Sequence, residues 1–193
     1  MNPRVQPPAL PAKQALRDQV LAARRRRPLI ESVAVAEAIA DHVLAWDAVR
    51  RGAVVAAYVS VGREPGTGRL LELLVAAGKR VLLPVLCPDN DLDWVAFTGE
   101  LAPASRGLLE PVGPRLGPDA IAQADVVIVP GLAASTAGDR LGRGGGSYDR
   151  ALARVPAGVP IAVVLHEDEA GRDVPTQDHD RRVTHTVTPA GIS

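Results

Sequence analysis

The sequence predicts a single three-layer α/β domain, with a mostly parallel central sheet flanked by helices, and three observations predict it. Short, apolar, β-branched runs such as Val126–Val129 recur along the chain, too continuous for strands with one wet face. Helical patterns lie between these runs, which is the alternation that parallel strands with crossover connections require. The run ending at Val129 passes through Pro130 and Gly131 into a glycine-rich loop, and a helical pattern opens after Gly146.

Taken in order, Met1–Pro11 is rich in proline and lacks the apolar centre of a secretory leader. Residues 1–12 are therefore expected to form a disordered tail ahead of one domain spanning 13–193. Lys13–Arg26 reads as a helix, with Leu16, Val20 and Ala23 recurring on one face. Arg24–Arg27 is a run of like charge, and its plain reading is a solvated helix end where cations suit the dipole. After Pro28 a second helix is expected over Leu29–Trp46, burying Ile30, Val33, Ile39, Val43 and Trp46.

Ala53–Ser60 is the first expected strand, and the loop Val61–Gly68 follows with Glu64, Pro65 and Thr67. Arg69–Ala77 is a short helix closed by Gly78, and Val81–Val85 and Leu92–Phe97 are the next strands. From Thr98 to Gly117 proline and glycine rise and periodicity fades, which predicts a long surface loop and a candidate lid. Pro118–Ala124 reads as a helix leading into Val126–Val129. Pro160–Leu165 and Val183–Val187 complete the strands. The whole pattern is Rossmann-like, with no internal repeat and no second domain.

Composition excludes several classes of function. Twenty-two basic residues balance 22 acidic ones, so no global field draws the protein to nucleic acid or to an anionic membrane. Aromatic residues make up only 3%, too few for an array of base-stacking platforms. No apolar run approaches the roughly 20 residues of a membrane helix. Cys87 is the single cysteine, so an intrachain disulfide is impossible and a cytoplasmic location is expected. Small-molecule substrates are the expected partners, and a monomer is the expected state.

In an α/β sheet the ligand crevice lies at the carboxyl ends of the strands, where the loops after Ser60, Val129 and Leu165 begin. Gly142, Gly144, Gly145 and Gly146 let the backbone approach a ligand closely, and Arg140 and Arg143 add charge. A strand, a glycine loop and a helix start together make an anion site. No Gly-Lys-Ser/Thr follows, so this is not a P-loop, and the glycine spacing is not that of a dinucleotide fingerprint. Lys13 and Arg17 lie one helical turn apart on one face, by spacing alone a generic surface pair. Asp149, in the first turn of the helix after the loop, suits either the dipole or a Mg²⁺ shared with phosphate. Asp178-His179-Asp180 reads as a polar turn rather than a transition-metal centre.

The full string is more specific than its glycines. Val-Pro-Gly-Leu-Ala at 129–133, Gly-Asp-Arg-Leu-Gly-Arg-Gly-Gly-Gly at 138–146 and Tyr148-Asp149-Arg150 resemble the signature of the 5-formyltetrahydrofolate cyclo-ligase family, also called 5,10-methenyltetrahydrofolate synthetases. Tyr58-Val59-Ser60 with Glu64 and Thr67, Asp93–Phe97, Gly107–Pro111 and Val174-Pro175 with Asp180 also resemble family segments.

The resemblance implies an ATP- and Mg-dependent conversion of 5-formyltetrahydrofolate to 5,10-methenyltetrahydrofolate, releasing ADP and phosphate through a phosphorylated formyl (imino-phosphate) intermediate. It implies ATP contacts from Lys13, Arg17, Arg140, Leu141, Gly142, Arg143, Gly144, Gly145, Gly146, Ser147, Tyr148 and Asp149. Catalytic roles fall to Lys13, Arg143 and Asp149, the folate side to Glu64, Tyr58 and Tyr148, and Mg²⁺ to Asp149 and Asp180.

The chain departs from the family pattern at several places. Ala134-Ser135 stands where Phe-Asp is usual, Ser147 where Tyr is, Trp94 where Met is, His166 where Phe is and Glu169 where Gln is. These departures keep open a diverged member that binds ATP but acts on another formyl or amide substrate, and a non-catalytic folate- or nucleotide-binding module. A sugar-phosphate isomerase of related architecture is the weakest alternative, since it would not require Lys13.

Overall fold

A computed structural model describes residues 9–177 and 180–193. Helix α1 (Ala9–Arg26) starts ahead of the expected Lys13, so Ala9–Ala12 belong to the helix and not to a tail. Pro11 lies in the first turn, where its missing N–H breaks no intrahelical bond. The rest of the expected tail, residues 1–8, lies outside the described residues, as do Asp178 and His179 of the polar turn.

The expected second helix is two: α2 (Glu31–Ala45) and α3 (Asp47–Arg51), separated by Trp46 in an extended conformation. Helix α2 buries Ile39, Ala40 and Val43, whereas Ile30 and Val33 are 86% and 64% exposed, contrary to expectation. The first turn of α2 lies against the loop of residues 62–66 instead of the sheet, so only its later turns meet the core.

Strand β1 (Val54–Ala56) is shorter than the predicted Ala53–Ser60. The chain leaves the ladder because Thr67 competes for it: Ser60 N–H donates to Thr67 Oγ1 at 2.9 Å, Thr67 N–H to Ser60 Oγ at 3.1 Å, and Thr67 Oγ1 to the Tyr58 carbonyl at 2.8 Å. After α4 (Gly68–Ala76) come β2 (Arg80–Leu86) and β3 (Leu92–Ala96).

The predicted 98–117 loop contains a hairpin of β4 (Leu101–Pro103) and β5 (Leu109–Pro111). Its arms are three residues each and both end in proline, too short to leave a periodic signal. Leu86 N–H donates to Glu110 Oε1 at 3.0 Å and Leu116 N–H to the Trp94 carbonyl at 2.8 Å, tying the hairpin and the return segment to the sheet edge. The helix expected over Pro118–Ala124 is a 3₁₀ helix over Pro118–Gln123.

The chain then forms β6 (Val126–Pro130), a short hairpin of β7 (Ala133–Ala134) and β8 (Arg140–Leu141), α5 (Ser147–Leu152), β9 (Ile161–Val164), β10 (His185–Thr188) and β11 (Gly191–Ile192). The seven-stranded sheet runs β11-β10-β9-β6-β1-β2-β3. All neighbours from β10 to β2 are parallel, and only the edge strands β3 and β11 are antiparallel. Alternating side chains cover two cores: Val55, Leu83 and Ile128 pack against α2 and α4, and Ala56, Leu82 and Val127 against the 3₁₀ helix and α5. These are the three layers the sequence predicts.

From β1 the chain moves outward to β2 and later returns to the other side of β1 as β6, so strand order reverses between β1 and β6. The loops leaving both strands open at this switch point, which is where α/β sheets bind ligands. Helix α1 crosses above it, packed through Val20, Leu16 and Leu21 on Leu132, Ala133, Leu141 and Val174. Among the described residues no helix is long and apolar enough to cross a membrane.

Gly138 closes the β7–β8 turn at φ 86°, and a Cβ there would stand 2.2 Å from the Val183 carbonyl oxygen. Its own carbonyl accepts from Val183 N–H at 2.9 Å, so neither segment can retreat cheaply. Gly138→Ala is expected to cost on the order of 3 kcal/mol and to lower Tm by on the order of 10 °C in thermal unfolding. A Tm within about 2 °C of the parent would show that Val183 gives way.

Candidate active site

The glycine loop is shaped by close approaches along its length. A Cβ on Gly131 would come within 2.5 Å of Val163 Cγ2, so only glycine lets the chain turn off β6 at this point. The β7–β8 hairpin then folds back over a turn in which Ser135 Oγ accepts from Ala137 N–H and Asp139 N–H and donates to Asp139 Oδ2. Strand β8 delivers Gly142–Gly146, partly to fully exposed, to the start of α5, where Gly146 adopts φ 69°. Ser147 is the first residue of α5 and half-buried.

Helix α1 brings both of its expected cations to this loop. Arg17 Nε donates to the Gly142 carbonyl at 3.0 Å, and its guanidinium lies 3.4 Å from where a Cβ on Gly144 would be. Lys13 is 4% exposed and its Nζ bonds both Asp180 oxygens, at 2.8 and 2.5 Å, and Gln177 Oε1 at 3.1 Å. The segment holding Asp180 thus folds onto α1, and Asp180 Oδ2 also accepts from Gln177 N–H at 2.7 Å.

Asp149 completes the cluster. Its Oδ1 accepts from Arg140 Nη2 at 3.1 Å and from the backbone N–H of Arg181 at 3.3 Å, so the chain brings Asp149 alongside the neighbour of Asp180. Arg140 is buried, donates also to the Pro130 carbonyl at 3.1 Å and lies over the Tyr148 ring at 5.8 Å. Leu141 points its side chain into the core beneath α1, so it can offer a ligand only its backbone.

On the far side of the loop, Arg143 Nε and Nη2 both donate to Glu64 Oε1, at 3.1 and 3.0 Å. Glu64 Oε2 accepts from Val61 N–H at 2.9 Å. The sequence reading placed Arg143 on phosphate and Glu64 on the second substrate, and the fold joins the two. Tyr58 is buried, and its phenol has no hydrogen-bond partner among the described residues. Burial, with the nearby Glu64 charge, pushes the Tyr58 phenol well up, and the same causes raise that of half-buried Tyr148. Both rings stay neutral donors at physiological pH.

The donor set is suited to one kind of metal. Among the described residues no group of three or more His, Cys, Asp or Glu side chains is placed to cage an ion. Asp149 and Asp180 are hard oxygen donors beside the glycine-rich loop, a donor type that suits a hard cation such as Mg²⁺.

Arg24 and Glu169, for which the sequence suggested no role in the site, pair behind it. Arg24 is not part of a solvated helix end: it is 2% exposed and pairs with buried Glu169, while Arg27 reaches Asp168. Only Arg25 and Arg26 of that run are exposed. The signal was available, since Arg24 follows Arg17 by two helical turns on the face that carries Lys13. The Ala134-Ser135 departure is absorbed locally, with Ala134 fully buried in the core and Ser135 holding the hairpin turn. Neither lines the cleft of about 130 Å³ beside Glu64, whose wall includes Arg27, Ser32, Arg63 and His166.

These features define a class, a single α/β domain in which basic and acidic side chains from distant segments converge on a glycine-rich loop at the switch point of the sheet. The 5-formyltetrahydrofolate cyclo-ligase family matches residues 9–189 of the chain. The 5-formyltetrahydrofolate cyclo-ligase of Mycolicibacterium smegmatis is 40% identical over 186 residues, covering 92% of this chain and 94% of that protein. That of Escherichia coli K12 is 29% identical over 181 residues, covering 88% and 97%. The NMR structure of Aquifex aeolicus 5,10-methenyltetrahydrofolate synthetase is similar with a TM-score of 0.79 at 27% identity, covering 93% of this chain and 91% of that one. A Mycoplasma pneumoniae 5,10-methenyltetrahydrofolate synthetase shares the fold, with a TM-score of 0.74 at 20% identity over 92% of this chain and 98% of that one. The chain belongs to the 5-formyltetrahydrofolate cyclo-ligase family, and it is a ligase.

Proposed function

We propose that this protein converts 5-formyltetrahydrofolate to 5,10-methenyltetrahydrofolate at the expense of ATP, releasing ADP and phosphate. The observation that carries the reading is the Arg143–Glu64 contact, which joins the loop suited to polyphosphate to a buried acid on the adjoining loop. Two substrates held on those two loops would meet across it.

The chemical obstacle is the formyl oxygen on N5, a poor leaving group. Attack of that oxygen on the γ-phosphorus breaks the bond to the β-phosphate bridge and releases ADP, leaving an imino-phosphate. N10 then attacks the formyl carbon, its proton is lost, and the carbon–oxygen bond breaks to release inorganic phosphate. Such a reaction needs alignment and charge neutralisation more than covalent help from the protein. The Gly142–Gly146 backbone N–H groups with Lys13, Arg17, Arg140 and Arg143 supply these around the polyphosphate. Asp149 and Asp180 would hold Mg²⁺, which when bound neutralises charge on the transferring phosphoryl group. Lys13 would exchange Asp180 for phosphate as Asp180 turns to the metal. Glu64, Tyr58 and Tyr148 form the folate side.

The test is direct. Purified protein with 5-formyltetrahydrofolate, Mg²⁺ and ATP should develop the near-ultraviolet absorbance of the methenyl product, and omission of ATP should abolish it. ATP binding without product would support the diverged substrate, the reading favoured by His166 in the wall of the cleft beside Glu64. Tight folate binding indifferent to Mg-ATP would support a binding module.

Glu64→Gln separates the two halves of the site. The variant loses one charged hydrogen bond, so the KM for folate is expected to rise about tenfold or more. Arg143 is more than half exposed, and losing its partner in water is worth under about 1 kcal/mol. The KM for ATP should therefore change only a few-fold, and a loss confined to ATP would contradict the assignment.

A further inference from the structure

The buried Arg24 has a geometry that stability alone does not explain. Its Nε donates to Glu169 Oε1 at 2.8 Å and its Nη2 to Glu169 Oε2 at 2.7 Å, a side-on fork, while Nη2 also reaches the Gly131 carbonyl at 2.7 Å. Burial works against the charge on Arg24, but the bonds and charge of Glu169 outweigh it and hold the guanidinium ionised. A buried pair of this kind is often no more stabilising than apolar residues of the same volume. What a fork supplies, and apolar packing does not, is a fixed direction.

That direction bears on the site. Lys13, Arg17 and Arg24 lie on one face of α1, so whatever fixes Arg24 fixes the rotation and advance of the helix that carries the other two. Gly131, which Arg24 grips, is the hinge at which the glycine loop leaves β6. The network also continues away from α1. Glu169 Oε2 accepts from His166 N–H at 3.0 Å, His166 Nε2 pairs with the Arg63 carbonyl at 3.2 Å, and Arg63 Nη1 donates to the Arg27 carbonyl at 2.9 Å. Arg63 precedes Glu64, so one chain of bonds spans α1, the glycine-loop hinge and the loop on the folate side.

We propose that Arg24 is a positioning residue, whose fork on Glu169 and Gly131 sets α1 over the glycine loop so that Arg17 and Lys13 meet the polyphosphate. The role deepens the ATP-dependent reading above and rests on it. Arg24 touches no reacting atom and acts through Arg17.

The test is a thermodynamic cycle on Mg-ATP binding, measured by calorimetry without folate and well below the Tm of each variant. Arg24→Lys keeps charge but loses the fork, and the Kd for Mg-ATP is expected to rise about tenfold. Arg17→Ala should weaken binding in the parent and add less than about threefold in the Arg24→Lys background, because Arg17 is already misplaced there. Should Arg24→Lys not fold, Glu169→Gln carries the same test, since it keeps an acceptor and volume while weakening the fork, with an expected rise of several-fold. A Kd within twofold of the parent in the folded variant, or full additivity with Arg17→Ala, would overturn the positioning role even if Tm falls. Failure of the parent itself to bind Mg-ATP would instead overturn the functional reading, and this role with it.

Discussion

Asp149→Asn is expected to lower kcat by about 10²–10³-fold while the fold survives. The amide keeps an oxygen to accept from Arg140 Nη2 and from Arg181 N–H, so the loop and the late segment stay together. What goes is the negative charge that Mg²⁺ would need, and that Arg140, almost fully buried, now faces. The unbalanced guanidinium should cost on the order of 1–2 kcal/mol, or roughly 3–8 °C in Tm. The Mg²⁺ concentration for half-maximal rate should rise alongside the fall in kcat, which a packing defect would not produce. Unchanged turnover would remove Asp149 from the site.

Lys13→Met is expected to cut kcat/KM for ATP by at least about 10²-fold, the worth of one preorganised charge on a transferring phosphoryl group. The variant also takes the Lys13 ammonium away from Asp180, and breaking a buried pair costs up to about 3–5 kcal/mol when the remaining charge is fully enclosed. Asp180 is 15% exposed and still accepts from Gln177 N–H, so the penalty should fall short of that range. The double variant Lys13→Met/Asp180→Asn removes the carboxylate charge that faced Lys13 and should regain part of the stability lost with Lys13. Its activity should stay low, because both groups are assigned to the substrate complex. Recovery of turnover with recovery of stability would make the Lys13–Asp180 pair a structural clasp and nothing more.

Local features of the site were legible in the sequence because they depend on neighbours in the chain. The Val126–Val129 run, the glycines at 142–146 and the turn-spaced Lys13 and Arg17 each declare a strand, a loop and a helix face without reference to distant residues. Partnerships were not legible. Lys13 meets Asp180, Arg143 meets Glu64 and Arg24 meets Glu169 only because strand order reverses between β1 and β6 and α1 crosses above the reversal. The run at Arg24–Arg27 read as solvated for the same reason, since composition records charge and not which residue of a turn faces inward. Ile30 and Val33 failed in the opposite sense. Their apolar character suggests burial, but the start of α2 lies against the 62–66 loop, and nothing in the local pattern marks which turns meet the sheet.

The central claim is that the formyl oxygen is activated by phosphorylation, and the oxygen itself can be followed. With ¹⁸O in the formyl group, turnover with Mg-ATP should place one labelled oxygen in the released inorganic phosphate, because the carbon–oxygen bond breaks after the oxygen–phosphorus bond has formed. Label recovered in water, with none in phosphate, would mean that ATP is hydrolysed beside the reaction instead of driving it through the formyl oxygen, and would contradict this account.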